Sequence, residues 1–501
     1  MDGAAQTVEP IRVLYVANRG EIAARIRRTA DRLGIRVVVP GQDGHPAVDL
    51  LDIAAVVSAA REAGADALHP GFGFLSENAA FADAVETAGI RWVGPPAAAI
   101  RQMGNKASAR RLAVELGIPV VPGYDDEDQS DATLLEAARA IAGVEGSRRH
   151  GVLIKPAAGG GGKGMRVVES LEPPSAFIAA LAVARREAVA AFGDERLILE
   201  RYLVGPRHVE VQVLFDAHGT GVHLGERDCS LQRRHQKIVE ETPCPVLDAA
   251  TRDALCGVAV QGARSLGYHS AGTFEFLLDR GGNFYFLEMN TRLQVEHPIT
   301  ELVTGTDLVR EMLCVAAGEP LTLTPSARGV AIEARLCAEE PARGFVPSPG
   351  SIERLVMAAG PGVRVDSGVY PGATVSPHYD PLLAKLSVWA PTRERALARL
   401  LRALGECTVV GIATNLAFLE RLVATPEVAA GAYDTGFVER RAAELTAPLA
   451  DTNDDAFVAA AAVLAHLDAG RGAANGRDGA SAGSGALAPW VAVERAERLG
   501  R

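Results

Sequence analysis

The chain has 501 residues, enough for two or three domains, and its 48% hydrophobic content can fill sizeable cores. A formal net charge of −11 argues against a nucleic-acid partner, which calls for a basic face, while leaving room for anionic small substrates in a local basic pocket. Cys229, Cys244, Cys256, Cys314, Cys337 and Cys407 never fall at C-x-x-C spacing, the opening "MDGAAQTVEP" lacks the regions of a signal peptide, and no run of about 18 apolar residues marks a membrane span, so a cytoplasmic protein without membrane contact is expected.

In chain order, "IRVLYVANRGEIAARIRRTADRLG" (11–34) reads as a strand, a turn at Asn18-Arg19-Gly20 and a helix with Ile22, Ile26 and Leu33 on one stripe. "IRVVV", "DIAAVVSAAREAGADALHPG" and "FADAVETAGIRWVGPP" continue the alternation, which predicts a parallel sheet with crossover helices. "GVLIKPA" and "GMRVVES" are strand-like and flank a glycine run. "HVEVQVLFD" alternates strictly, with Val209, Val211 and Val213 facing one way and His208, Glu210 and Gln212 the other. Residues 272–290 predict a hairpin, and 330–440 short strands with helices over 392–404 and 413–424. "GRGAANGRDGASAGSGALAP" (470–489) reads as a flexible linker.

"KPAAGGGGKGM" (155–165) places Gly159, Gly160, Gly161 and Gly162 before Lys163 and Gly164. The Ser/Thr and upstream Gly of a Walker A loop are missing, and the run joins two strands. Its unobstructed backbone N–H groups, with Lys155 and Lys163 beside them, suit a phosphate; a plain mobile loop is the alternative.

A two-residue Gly281-Gly282 turn would pair Arg280 with Asn283 and so set Glu275 opposite Glu288. Facing carboxylates repel unless a cation lies between them. Asn290 falls on the same face, and these hard oxygen donors suit Mg²⁺ or Mn²⁺; a solvated outer face is the alternative. If the chain stays extended, Arg292, Gln294 and Glu296 continue that face, a guanidinium to clamp a planar anion and a carboxylate to act as general base. A second cationic cluster, "RDCSLQRRHQK", spans 227–237; with no acidic run nearby, its alternative is a solvated basic surface.

Together "ANRGEIAARI", "HPGFGFLSEN", "GNK", "KPAAGGGGKGM", "RHVEVQV", "ERDCSLQRRHQK", "GTFEF", "FLEMNTRLQVEHPITE" and "PHYDPLLAKL" resemble biotin carboxylase, the ATP-grasp component of acetyl-CoA, propionyl-CoA and related carboxylases, over residues 11 to 445. The resemblance implies α/β and α+β architecture: an ATP-grasp fold with an N-terminal Rossmann-like domain (1–105, shortened near 39–52), an ATP-binding domain (106–325) with a mobile glycine-loop lid (about 128–205), and a C-terminal biotin carboxylase domain (326–445). A helical and Gly/Ala-rich, connector-like tail follows (446–501). By the same resemblance, Lys106, Lys155 and the glycine loop hold ATP phosphates, with His235 close by. Glu200, Leu203, His208 and Gln232 line the adenine and ribose site. Glu275, Glu288 and Asn290 hold two Mg²⁺ or Mn²⁺. Lys237, Arg292, Gln294 and the Val295 backbone bind bicarbonate, Glu296 deprotonates it, and Arg335 stabilises the biotin enolate. The implied partners are a biotin carboxyl carrier protein, a carboxyltransferase subunit and a second copy in a homodimer.

Two departures stand out. The strand and helical segment that the family has between "RVVV" and "DIAAVV" are missing, which bears on stability and oligomer packing more than on chemistry. No Met is followed by Lys, so A-M-K-M is absent and biotin is expected in trans, unless the chain is a truncated α subunit. The competing readings are another ATP-grasp ligase, such as one forming carbamoyl phosphate, and a catalytically impaired scaffold or regulatory subunit, suggested by the N-terminal gap.

Overall fold

The computed structural model describes residues 8–142, 144–145, 148–149, 151–157 and 164–447. Gly159 to Gly162, Lys163 and the linker at 470–489 lie outside the described residues, as does all but the first two residues of the expected 446–501 tail.

The N-terminal alternation folds as the parallel sheet β2–β1–β3–β4, made of β1 (Val13–Val16), β2 (Arg36–Val38), β3 (Ala67–His69) and β4 (Arg91–Trp92). Its helices are α1 (Gly20–Arg32), α2 (Ile53–Glu62) and α3 (Ala79–Thr87). Ile22, Ile26 and Ala30 give α1 its buried stripe at four-residue spacing. Leu33, expected on that stripe, is instead the exposed C-cap residue, because the helix ends at Arg32 and Gly34 turns the chain at φ +71°. β2 is an edge strand. The shortened segment 39–52 forms turns and coil, and Val48 and Leu50 pack on the core between α2, α3 and the sheet.

After α4 (Ala97–Met103) and α5 (Lys106–Glu115), a small sheet runs β5–β8–β6–β7, with β5 (Gly123–Tyr124), β6 (Val152–Pro156), β7 (Arg166–Val168) and β8 (Leu197–Arg201). β6 and β7 are antiparallel, so the glycine run joins hairpin strands as expected. α6 (Asp131–Ala142) and α7 (Pro174–Phe192) cover this sheet around a core of Leu134, Ile154, Phe177, Leu181 and Leu199.

The third sheet is antiparallel, of order β13–β12–β9–β10–β11–β14–β16–β15. Its strands are β9 (Arg207–Phe215), β10 (Gly221–Arg233), β11 (Gln236–Thr242), β12 (Ser270–Leu278), β13 (Phe284–Asn290), β14 (Val330–Cys337), β15 (Val363–Ser367) and β16 (Leu382–Ala390). β11 pairs with β14, so strands on either side of residue 325 share one sheet. α8 (Ala249–Ser265) and α5 cover one face through Val209, Val211, Val213, Phe274, Phe276 and Phe286. α11 (Arg393–Glu406) and α12 (Leu416–Val423) cover the far end.

Candidate active site

The site is the polar face of β9 to β14. The period-2 pattern of β9 holds: the valines lie in the core, and His208, Glu210 and Gln212 are buried on the opposite side. Glu275 is paired with Glu288, as counted from the sequence. The route differs, however. The turn has three residues (280–282), with Asp279 opposite Asn283, and Leu287 is an extra residue between the Phe276–Phe286 and Glu275–Glu288 pairs. The longer turn and this bulge cancel.

The extended run ends at Asn290. Residues 291–296 form a loop, and Glu296 is the N-cap residue of α9 (His297–Thr304). The expected continuous alternation through Arg292, Gln294 and Glu296 is therefore corrected: Pro298, in the first turn, starts a helix there.

Lys237 is the hub. Its Nζ donates to Glu210 (2.6 Å), Glu296 (2.7 Å) and Glu275 (2.8 Å). The second Glu296 oxygen accepts from Arg335, 3.0 Å away, whose Nε also donates to Glu240 at 2.6 Å. Gln294 and Asn290 donate their amide N–H groups to Glu275, both at 2.7 Å. Arg292 donates to Asn290 Oδ1 (2.8 Å) and pairs with Glu77 (3.0 Å). His208 Nε2 lies 2.8 Å from Glu275, so this residue, expected at the nucleotide, also borders the carboxylates.

The residues expected at the nucleotide flank this centre. Lys155 pairs with Glu200. Lys106, at the start of α5, lies 4.0 Å from Glu288. Gln232 is buried beside Lys237 in the β10–β11 register, and Leu203 follows β8. Arg234 and His235 form the tip of that hairpin, both at positive φ (49° and 64°), which presents His235 to solvent. Gly164 closes the glycine loop at φ +76°, where a Cβ would meet Pro156 at 2.9 Å.

Burial pushes the Glu275 and Glu296 carboxyls up, but nearby cations outweigh it and hold both well below the ordinary carboxylate range. Those cations are Lys237 and His208 for Glu275, and Lys237, Arg335 and Arg227 for Glu296. Glu288 moves the other way, raised by burial and by the facing Glu275. Burial opposes the charge on Lys237, yet Glu210, Glu275 and Glu296 raise its pKa well above the ordinary value.

The alternative of a solvated basic surface for 227–237 holds only at the hairpin tip, where Arg234, His235 and Gln236 are exposed. Arg227 is fully buried and donates to Glu210 (2.5 Å), Gln294 (2.5 Å), Gln212 and Thr300 (both 2.9 Å). Its carboxylate partner, Glu210, lies 17 residues earlier on the neighbouring strand β9, and Glu296 adds charge from the start of α9, so counting charge within the run missed them. Glu77, Glu210, Arg227 and Glu240 were all missed as site residues. The polar alternation of β9 was the available signal for Glu210.

Comparison with known proteins decides the family. A biotin carboxylase of Nostoc sp. is 43% identical over 448 residues, covering 85% of this chain and 98% of that protein. The chain belongs to the biotin carboxylase family. The family's N-terminal and C-terminal domain profiles match residues 40–100 and 333–440, and between them the profile described as the carbamoyl-phosphate synthase L chain ATP-binding domain matches 105–324. Biotin carboxylase domains on both flanks dispose of a carbamoyl-phosphate-forming enzyme. The biotin carboxylase domain dimer of the Hydrogenobacter thermophilus 2-oxoglutarate carboxylase, solved with MgADP, ADP and bicarbonate, superposes with a TM-score of 0.82 at 38% identity, covering 87% of this chain and 99% of that one. The Campylobacter jejuni biotin carboxylase gives 0.81 at 39%, covering 86% and 99%.

The propionyl-CoA carboxylase alpha chain of Ruegeria pomeroyi is 44% identical over 85% of this chain, and the mitochondrial methylcrotonoyl-CoA carboxylase alpha subunit of Dictyostelium discoideum 43% over 91%. The chain spans 67% of the length of each, and 61% of the Arabidopsis thaliana counterpart. Biotin carboxylases are ATP-dependent ligases, and the ATP-grasp fold is present as expected. All six cysteines are free. No helix among the described residues is long and apolar enough to cross a membrane.

Proposed function

We propose that this biotin carboxylase carries out the first half-reaction of an acyl-CoA carboxylase of the propionyl-CoA or methylcrotonoyl-CoA class, carboxylating protein-borne biotin and working as a homodimer beside a carboxyltransferase subunit. The observation that carries the chemistry is Glu296, a buried anionic carboxylate gripped by Lys237 and Arg335. The acyl-CoA class rests on the named relatives.

Lys237, Arg292, Gln294 and the Val295 N–H bind bicarbonate. Its entry loosens the Lys237 grip on Glu296, which restores basicity to a carboxylate otherwise held far below it. Glu296 then takes the bicarbonate proton, and the freed oxygen attacks the γ-phosphorus of ATP to give carboxyphosphate and ADP. Lys106, Lys155 and the 159–164 glycine run offset charge on the phosphoryl oxygens. Glu200, Leu203, His208 and Gln232 hold the nucleoside, and His235 stands near the phosphates. Breakdown of carboxyphosphate releases CO₂ and phosphate; the phosphate takes the ureido proton of biotin, and the biotin nitrogen captures CO₂. Arg335 stabilises the negative charge on the ureido oxygen.

The facing carboxylates of Glu275 and Glu288, with the Asn290 amide, form an all-oxygen set suited to Mg²⁺ or Mn²⁺. When bound there, two such ions neutralise the phosphates and orient the transferred group.

The test is ADP release with Mg²⁺ and bicarbonate, with and without free biotin, for the parent and Glu296→Ala. Biotin-stimulated release, lost in the variant, is the expected result. A folded, ATP-binding parent that releases no ADP overturns the reading in favour of the scaffold subunit.

A further inference from the structure

Two sequence motifs are not used by the chemistry above, "ANRGEIAARI" near the N-terminus and "PHYDPLLAKL" near residue 380. They meet directly behind the anion loop 291–296. Arg19 lies over the Tyr379 ring at 3.6 Å, and the Glu21 carboxylate lies 3.1 Å from Lys385 Nζ. Lys385 is fully buried on β16, next to Arg335 across the β14–β16 pair. A lysine in such a place needs acceptors, and besides Glu21 it has one: its Nζ donates to the Val295 carbonyl at 2.7 Å. The preceding carbonyl, of Gln294, is held by His297, whose ring Nδ1 lies 2.7 Å away. A carbonyl only accepts, so Nδ1 carries the proton. Burial, together with Lys385, Arg25 and Arg364, keeps the His297 ring neutral.

These contacts fix two successive peptide planes. In a trans peptide the C=O and the next N–H point in opposite directions. Pinning the Gln294 and Val295 carbonyls toward His297 and Lys385 therefore turns the N–H groups of Val295 and Glu296 the other way. Neither N–H has a hydrogen-bond partner among the described residues. Two orphan donors beside Lys237, Arg292 and Gln294 make a ready cradle for a small oxyanion.

We propose that His297 and Lys385 are positioning residues for bicarbonate: they touch no substrate, but by holding two carbonyls from behind they aim the backbone donors that receive it. The inference rests on the bicarbonate site proposed above. It also explains why residues 364 positions apart, Glu21 and Lys385, both belong to this site: the N-terminal and C-terminal units are needed to set the loop.

The test compares KM for bicarbonate with KM for ATP, by ADP release, in His297→Leu, His297→Asn and Lys385→Met, with a melting curve for each. The Asn amide nitrogen occupies the place of Nδ1. His297→Leu and Lys385→Met are expected to raise the bicarbonate KM about tenfold or more, while the ATP KM moves less than about twofold; His297→Asn restores the bicarbonate KM to within about threefold of the parent. If Lys385→Met fails to fold because Glu21 is left unpaired, the double variant Glu21→Gln/Lys385→Met, which removes both charges, is read the same way. Folded variants with the parental bicarbonate KM overturn the proposal. So does a parallel rise in both KM values, which marks a general structural role. A parent whose ADP release does not depend on bicarbonate overturns the site reading itself, and the inference with it.

Discussion

As the proposed general base, Glu296 combines two properties that oppose each other. A general base must be deprotonated before substrate arrives, and burial alone would protonate a carboxylate that is 1% exposed. Lys237, Arg335 and Arg227 solve that problem, holding the pKa well below the ordinary range. The same cations make Glu296 a poor proton acceptor, and in the proposed reaction bicarbonate relieves this by competing for Lys237. Replacing Lys237 with Met removes the largest of the cationic contributions, so the Glu296 pKa must rise. The fraction ready to act as base then falls first on the acid side. The acid limb of kcat/KM for bicarbonate against pH is expected to move upward by about one unit or more, beyond any uniform drop in rate. A profile lowered in height but unmoved in pH would show that Lys237 does not set the charge of Glu296.

At the scale of elements, β11 and β14 set Glu240 opposite Glu333, both fully buried, each with one oxygen lacking a hydrogen-bond partner. Burial pushes Glu240 up to about 7 and Glu333 up to about 8, with the charge of Glu296 adding to the rise of Glu240 and that of Glu240 to the rise of Glu333. An unfolded Glu titrates near ~4.3, so the folded state binds these protons more tightly. Their contribution to stability is complete below ~4.3 and is lost as pH climbs through about 7 to 8. Melting temperature is expected to fall from about pH 4 to about pH 8 and to level off above, and Glu333→Gln, neutral throughout, is expected to flatten that fall. An unchanged slope would assign the pH dependence to other groups. This pair was invisible to local reading, because "KIVEET" and "AIEARL" are almost a hundred residues apart and only the sheet register makes them neighbours. The β12–β13 hairpin shows the opposite case. Its carboxylate pair was legible from the turn, yet the three-residue loop and the Leu287 bulge were not. A parity change, with Phe284 and Phe286 in or against the core and then Met289 in it, was the trace they left. The valines of β9 were fully legible because strict alternation leaves one face for the core, whereas the partners of Arg227 come from three separate segments and no spacing rule reaches them all.

For the molecule as a whole, the site works only if three units stay in register, and a buried ionic junction provides this. Glu301, on α9 just after the anion loop, accepts from Arg25 of α1 (2.7 Å), from Arg364 of β15 (2.7 Å) and from the Leu308 N–H (2.6 Å). Asp366 extends the junction, pairing with Arg364 at 2.7 Å and with Arg28 at 2.8 Å. N-terminal helix, central helix and C-terminal strand therefore share one carboxylate. Glu301→Gln keeps the shape but leaves Arg25 and Arg364 facing each other across a neutral amide. Breaking a buried ionic network at one partner costs about 3–5 kcal/mol, here concentrated where the units meet. Scanning calorimetry is expected to show one transition for the parent and, for the variant, an earlier melting of the N-terminal unit. That unit is the one expected to melt first because its sheet has four strands, against eight in the central sheet. A single transition at the parental temperature would mean that apolar packing between α1, α10 (Leu308–Ala316) and β1, rather than the ion pairs, holds the units together.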